Sequence, residues 1–169
     1  GVVNWWPSWP ARELNGFMVT DHLHDYVSLL KKKREQVRAG AKSASSGGFE
    51  LTAESKTTWP PSLADEIRER IQQDQWRKVD DEKLMELGLE LYERFAPDLF
   101  MIYLRGPDMP QHKHWDAYEP ALYRGVEESN IKQHQDAIPD SYRTSDRLVG
   151  DLLARIDDNT TVIVVSDHG

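Results

Sequence analysis

The chain of 169 residues contains no cysteine. Disulfides and cysteine–zinc sites are therefore excluded within it, although the compartment is not fixed by that absence. It also lacks any apolar run near the roughly 20 residues that span a bilayer. The opening Gly1-Val-Val-Asn-Trp-Trp6 has no positive region before it and no long apolar stretch, so it does not read as a signal peptide. Basic excess is missing too: 21 Lys and Arg stand against 29 Asp and Glu, a formal charge of −8. That sign argues against nonspecific nucleic-acid binding, which needs a basic surface. It disfavours anionic ligands as well, unless metal ions reverse the sign locally. There is no internal repeat. What is present, 38% hydrophobic and 30% charged residues, suits one soluble domain with a core.

Along the chain, Gly1 to Trp6 reads as a buried strand that Pro7-Ser-Trp-Pro10 ends, and Gly16-Phe-Met-Val-Thr20 as a second short extended piece. Residues 31–60 read as a flexible linker or insert, because a Lys31-Lys-Lys-Arg34 charge run leads into Ala39-Gly-Ala-Lys-Ser-Ala-Ser-Ser-Gly-Gly48. After Trp59-Pro-Pro61 a helix is signposted by Ser62 as N-cap, by Asp65 and Glu66 in the first turn, and by the stripe Leu63, Ile67, Ile71. A second helix over Asp81–Ala96 places Leu84, Leu87, Leu91 and Phe95 on one face, and Pro97 ends it. The dense apolar run Leu99–Leu104 reads as a strand covered on both faces. A third helix over Ser141–Ile156 carries Val149, Leu152, Leu153 and Ile156; a final strand over Thr160–Val165 follows the Asp157-Asp-Asn159 turn. Strand, helix and strand in that order form a right-handed crossover with parallel strands, an α/β arrangement.

Two acidic-histidine clusters follow the last two of these strands: Asp108-Met-Pro-Gln-His112 and Ser166-Asp167-His168-Gly169. Carboxylate and imidazole together suit a zinc-like divalent ion, and open α/β sheets gather ligands beyond the carboxyl ends of their strands. On one helical turn Asp108 and His112 share a face, provided the turn starts near Asp108, since Pro110 is tolerated only in a first turn. Asp167 and His168 can act together only if the strand has ended by Ser166, since neighbours in a strand point to opposite faces. Each cluster alone also fits a plain surface pair. Two on one sheet edge are more specific than either.

At these residues the chain resembles a known family. Asp108-Met-Pro-Gln-His112-Lys-His-Trp115 is similar to the Asp-x-x-Gln-His-x-x-Trp stretch of type I phosphodiesterases, which with the nucleotide pyrophosphatases belong to the alkaline phosphatase superfamily. Thr161-Val-Ile-Val-Val-Ser-Asp-His-Gly169 resembles that superfamily's metal-binding strand and loop. Asn4-Trp-Trp-Pro-Ser-Trp-Pro-Ala11 and Asn15-Gly-Phe-Met-Val-Thr20 are similar to its Trp-rich strand and Asn-Gly segment, while His114 departs from the Phe often found before that Trp. The resemblance implies an incomplete three-layer α/β sandwich with a mostly parallel sheet, residues 1–169 being part of a catalytic domain. It implies two divalent ions, usually zinc and sometimes manganese, with Asp108 and His112 on one and Asp167 and His168 on the other. The family's early Asp ligand, its Thr or Ser nucleophile and its last His have no matching position. The nucleophile is expected to precede Gly1, so this polypeptide by itself is expected to be inactive. Thr20 and Ser8 are hydroxyls in the right half, but the Thr20 position is not the nucleophile in relatives. The implied reaction is two-metal, in-line hydrolysis of a small-molecule phosphate ester or nucleotide. A sulfatase, a phosphoglycerate mutase and a non-catalytic relative are the alternatives.

Remaining candidates have plainer explanations. His22 and His24 near Asp21 read as residues at a cleft rim, His114 as solvent-facing, His134 as surface, and Lys31–Arg34 as a solvated helix end. Trp5 and Trp6 read as core. Trp115, beside the ligand loop, is the best candidate at the rim for stacking.

Overall fold

The computed structural model describes residues 1–5, 11–20, 23, 28, 32, 35, 58–72, 80–166 and 168. The expectations for Trp6, Ser8, Asp21, His22 and His24 lie outside that set, as do the side chains of Trp5 and Ile71. Four strands form one sheet in the order β3-β2-β1-β4: β1 is Val2–Trp5, β2 Met18–Thr20, β3 Thr58–Trp59 and β4 Met101–Ile102. The central strand β1 runs parallel to both β2 and β4, while β3 is antiparallel to β2. The fold is α/β with a mixed, mostly parallel sheet, as expected. The register slips by one residue in β1 between Val3 and Trp5, where Asn4 adopts a left-handed φ of 55°. Asparagine tolerates that conformation better than most residues, and the extra residue makes a bulge.

Helix α1, Ser62–Gln72, buries Leu63 and Ile67. Helix α2, Asp81–Phe95, begins where the Asp80 carboxylate accepts the Lys83 N–H at 3.1 Å. It ends at Ala96, a left-handed residue at φ 42° whose N–H reaches the Tyr92 carbonyl at 2.8 Å. The stripe Leu84, Leu87, Leu91 packs with Val3, Phe17, Val19, Leu23, Leu63 and Ile67 into the main core. Gly88 lets α2 approach the sheet: a Cβ there would stand 3.2 Å from Phe100 and 3.3 Å from Ile102. On its other side α2 presents Met85 and Leu89 to Leu148 of helix α5, Ala137–Leu153. Sheet, α2 and α5 are thus stacked in that order. Between β4 and α5 lie α3, Asp108–Tyr118, a 3-10 turn at Pro120–Leu122, and α4, Glu128–His134.

Three expectations need correction. The strand over Leu99–Leu104 shrinks to β4, with Leu99 67% exposed, because β4 pairs only with β1 and its outer edge has no strand partner among the described residues. Thr160–Val165 forms no strand. Ile163 and Val164 are 78% and 79% exposed, and no described element covers them, so apolar character alone did not secure pairing. Helix α5 starts at Ala137 rather than Ser141: Pro139 falls in its first turn, where the missing N–H costs nothing. Its buried contact is Leu148, while Leu153 is exposed. Of residues 31–60, most lie outside the described set; at its end Thr58 and Trp59 belong to the sheet, with Thr58 buried and the Trp59 indole donating to the Leu14 carbonyl at 3.0 Å.

Candidate metal centre

The loop from Tyr103 to Pro107 aims α3, and four hydrogen bonds hold it. The Tyr103 N–H donates to Val3 O at 3.1 Å and Asn4 Nδ2 donates to Tyr103 O at 3.0 Å, so the bulged residue of β1 grips the exit of β4. From the first residue of α2, the buried Asp81 carboxylate accepts the N–H groups of Arg105 at 3.0 Å and Gly106 at 2.5 Å. A Cβ on Gly106 would meet Asp81 Oδ2 at 2.7 Å, so glycine is required by close approach. Helix α3 then opens at Asp108 itself, which places Pro110 in the first turn as its chemistry demands.

One turn along α3, His112 Nε2 lies 3.0 Å from Asp108 Oδ1. The same oxygen is 3.3 Å from Nε2 of His168, which arrives from the far end of the chain. The two imidazoles stack at 6.1 Å between centroids and 26° between planes. The Ser166 hydroxyl donates to the His168 carbonyl and tightens the backbone just before that ring. One carboxylate oxygen and two imidazole nitrogens thus lie within 4.8 Å of one another. Donors around a tetrahedral zinc at about 2.0–2.2 Å stand about 3.3 Å apart, and three protein ligands leave a fourth position open. The two nitrogens, 3.0 and 3.3 Å from Asp108 Oδ1, fit that spacing. A family model described as type I phosphodiesterase / nucleotide pyrophosphatase matches residues 7–169.

The chain belongs to that family.

No curated protein and no solved structure matches it. Family membership associates the chain with hydrolysis of the phosphodiesterase and pyrophosphatase type, which is typically metal-dependent and acts on small-molecule phosphate esters. No helix among the described residues is long and apolar enough to cross a membrane.

The grouping differs from the two couples expected within this family. His168 joins Asp108 and His112, while Asp167 lies outside the described residues. Thr20, weighed as a nucleophile, is fully buried and its hydroxyl has no hydrogen-bond partner among the described residues, so it presents nothing to a substrate. His114 does not face away alone: α3 departs from helical geometry there (φ −132°, ψ 16°), and its ring stacks on His134 of α4 at 4.1 Å and 16°. The kink that a uniform helix cannot foresee brings the two half-buried rings together. Asp81 and Asn4 were missed altogether. Asp81 reads in sequence as an ordinary first-turn acid, and only its burial beside Gly106 reveals its role.

Trp115 does stand at a rim. With Gln111, Tyr118, Ile138, Pro139 and Tyr142 it lines a cavity of about 320 Å³ between α3 and the start of α5. Gln111 Nε2 donates to Pro107 O at 3.0 Å and lies 3.2 Å from the Tyr142 hydroxyl. It therefore links the helix that carries Asp108 and His112 to the cavity's far wall.

Proposed function

We propose that this chain supplies the metal-holding part of a two-metal phosphodiesterase or nucleotide pyrophosphatase. Asp108, His112 and His168 hold one divalent ion, zinc by preference, and Asp167 is assigned to the second. The observation that carries this reading is the convergence of Asp108, His112 and His168 from two distant segments, with their donor atoms within 4.8 Å. When bound, such ions offset charge on the phosphoryl oxygens during an in-line displacement. The residues' own work is to bind and orient. Asp108 Oδ1 lies 3.0 Å from Nε2 of His112 and 3.3 Å from Nε2 of His168, so the three donor atoms face one point. Asp81 holds the loop from which α3 departs. Substrates of this site are small phosphodiesters or nucleotides.

Two measurements test the reading. Zinc titration followed by calorimetry should show binding that His112→Ala and His168→Ala each weaken by about tenfold or more. Equal affinity in both variants would remove the site. Hydrolysis of bis(p-nitrophenyl) phosphate, p-nitrophenyl phosphate and p-nitrophenyl sulfate, with zinc or manganese, should be assayed on the protein that carries this chain. The diester should be cleaved in preference, and only with metal. Preference for the sulfate would support the sulfatase alternative, and zinc binding without turnover would support a non-catalytic relative.

A further inference from the structure

We infer that Asn15 is a site of slow, spontaneous main-chain modification: its side chain closes onto the Gly16 nitrogen, and the ring reopens to isoaspartate and aspartate. The loop before β2 carries this inference, which is independent of the metal centre and of the hydrolase reading. Four asparagines occur in the chain, and the fold ties down three of them. Asn4 is buried and its Nδ2 donates to Tyr103 O at 3.0 Å. Asn130 Nδ2 donates to Asp116 Oδ2 at 3.2 Å, and the following N–H, of Ile131, donates to Glu127 O at 3.2 Å. After Asn159, the Thr160 N–H donates to Asp157 O at 3.1 Å. At each of these, the amide or the nitrogen that would attack it is already engaged.

Asn15 has neither restraint. Its loop is held on both sides, by the Trp59 indole on Leu14 O at 3.0 Å and by the Val2 N–H on Phe17 O at 3.0 Å. Between those anchors Asn15 is exposed. Neither its side chain nor the Gly16 N–H has a hydrogen-bond partner among the described residues. Gly16 carries no Cβ to crowd its nitrogen, and its φ of 140° is a conformation that other residues rarely adopt. The backbone thus demands, after Asn15, the residue type that leaves its amide most open to attack.

The chemistry needs only water. Hydroxide takes the Gly16 N–H proton, and the nitrogen attacks Asn15 Cγ. The Cγ–Nδ2 bond breaks, and the amide leaves as ammonia with a proton from water. Water then opens the ring: at Cγ it leaves aspartate, at the main-chain carbonyl isoaspartate. The sum is asparagine and water to acid and ammonia, with no redox change. Isoaspartate routes the main chain through the side chain and inserts an extra carbon just before Phe17. That ring is 0% exposed and packs at 5.4 Å on Phe95 and 6.2 Å on Phe100. The lesion therefore loosens the amino edge of the parallel strands, opposite the edge from which α3 departs.

The chain is aged in mildly alkaline buffer at physiological temperature and mapped by tryptic peptides, beside a free peptide of residues 11–20. The tryptic peptide after Arg12 should show the amide-to-acid mass shift and isoaspartate, at a rate within about tenfold of the free peptide's, because no opening need precede attack. The peptides that hold Asn4, Asn130 and Asn159 should lag it by about tenfold or more. Aged chain, isolated by ion exchange on its added negative charge, should unfold at lower urea than fresh chain. Asn15→Asp, which adds the charge without rerouting the main chain, should keep the fresh midpoint. Conversion at Asn15 no faster than at the other three, or more than about tenfold slower than in the free peptide, would overturn the site. An unshifted midpoint after ageing, or an equal loss in Asn15→Asp, would overturn the main-chain account.

Discussion

The two halves of the stack are held by different physics. Around α2 the contacts are apolar and closed: Leu84, Leu87 and Leu91 are at most 2% exposed and mesh with β1, β2 and α1. Around α3 and the tail the contacts are polar and open, with the side chains of His112 and His168 68% and 55% exposed. The first region stabilises and offers no chemistry. The second carries donors, an aromatic cavity and a histidine stack, yet buries little. What joins them is the Tyr103–Gly106 loop, gripped by Asn4 from the sheet and by Asp81 from α2. The separation should show as two independent readouts, stability on one side and metal affinity on the other.

Leu87→Ala should break the stability side hardest. Leu87 is 2% exposed within the main core, and removing a buried leucine side chain costs about 2–5 kcal/mol. Urea unfolding should register that loss in the midpoint. Zinc affinity of the still-folded protein should not change. A parallel loss of affinity would show that the metal donors depend on core packing directly.

Asp81→Asn should be the variant that moves both readouts. The carboxylate accepts two backbone N–H groups. An amide offers one acceptor oxygen and turns an NH2 toward the other donor, at a cost of about 1.5–3 kcal/mol. Because those bonds aim the start of α3, zinc affinity should also fall, by about tenfold, as for partners that orient metal ligands elsewhere. Stability lost with affinity intact would make Asp81 a structural residue only.

That division also explains how much could be read from the residue order. The α2 stripe and its proline stop were legible because helix periodicity and termination are local. Asp108, His112 and His168 could be singled out as candidate ligand types after apolar runs, and the family of the chain followed from the same stretches. Their grouping was not legible. It depends on where the tail runs after α5, and Thr160–Val165 does not pair in the sheet that periodicity assigned it to. The start of α5 was hidden by Pro139, whose effect depends on its position in a turn. The His114–His134 stack was hidden by a single non-helical residue.

The smallest effect is expected where the two halves touch at the surface. Arg155, in the turn after α5, donates to Glu93 of α2 at 2.9 Å, with side chains 43% and 62% exposed. Water and salt screen such a pair, so Glu93→Gln should cost no more than about 0.5 kcal/mol, less at high ionic strength. Zinc affinity distinguishes a surface ornament from a guide for the tail. This contact lies at the root of the segment that delivers His168 to Asp108. An unchanged affinity means the tail finds the donor group through the donors themselves. A drop of severalfold, with stability untouched, would mean that α2 steers the tail from its surface, and that the apolar half of the molecule shapes the metal centre by a second route besides Asp81.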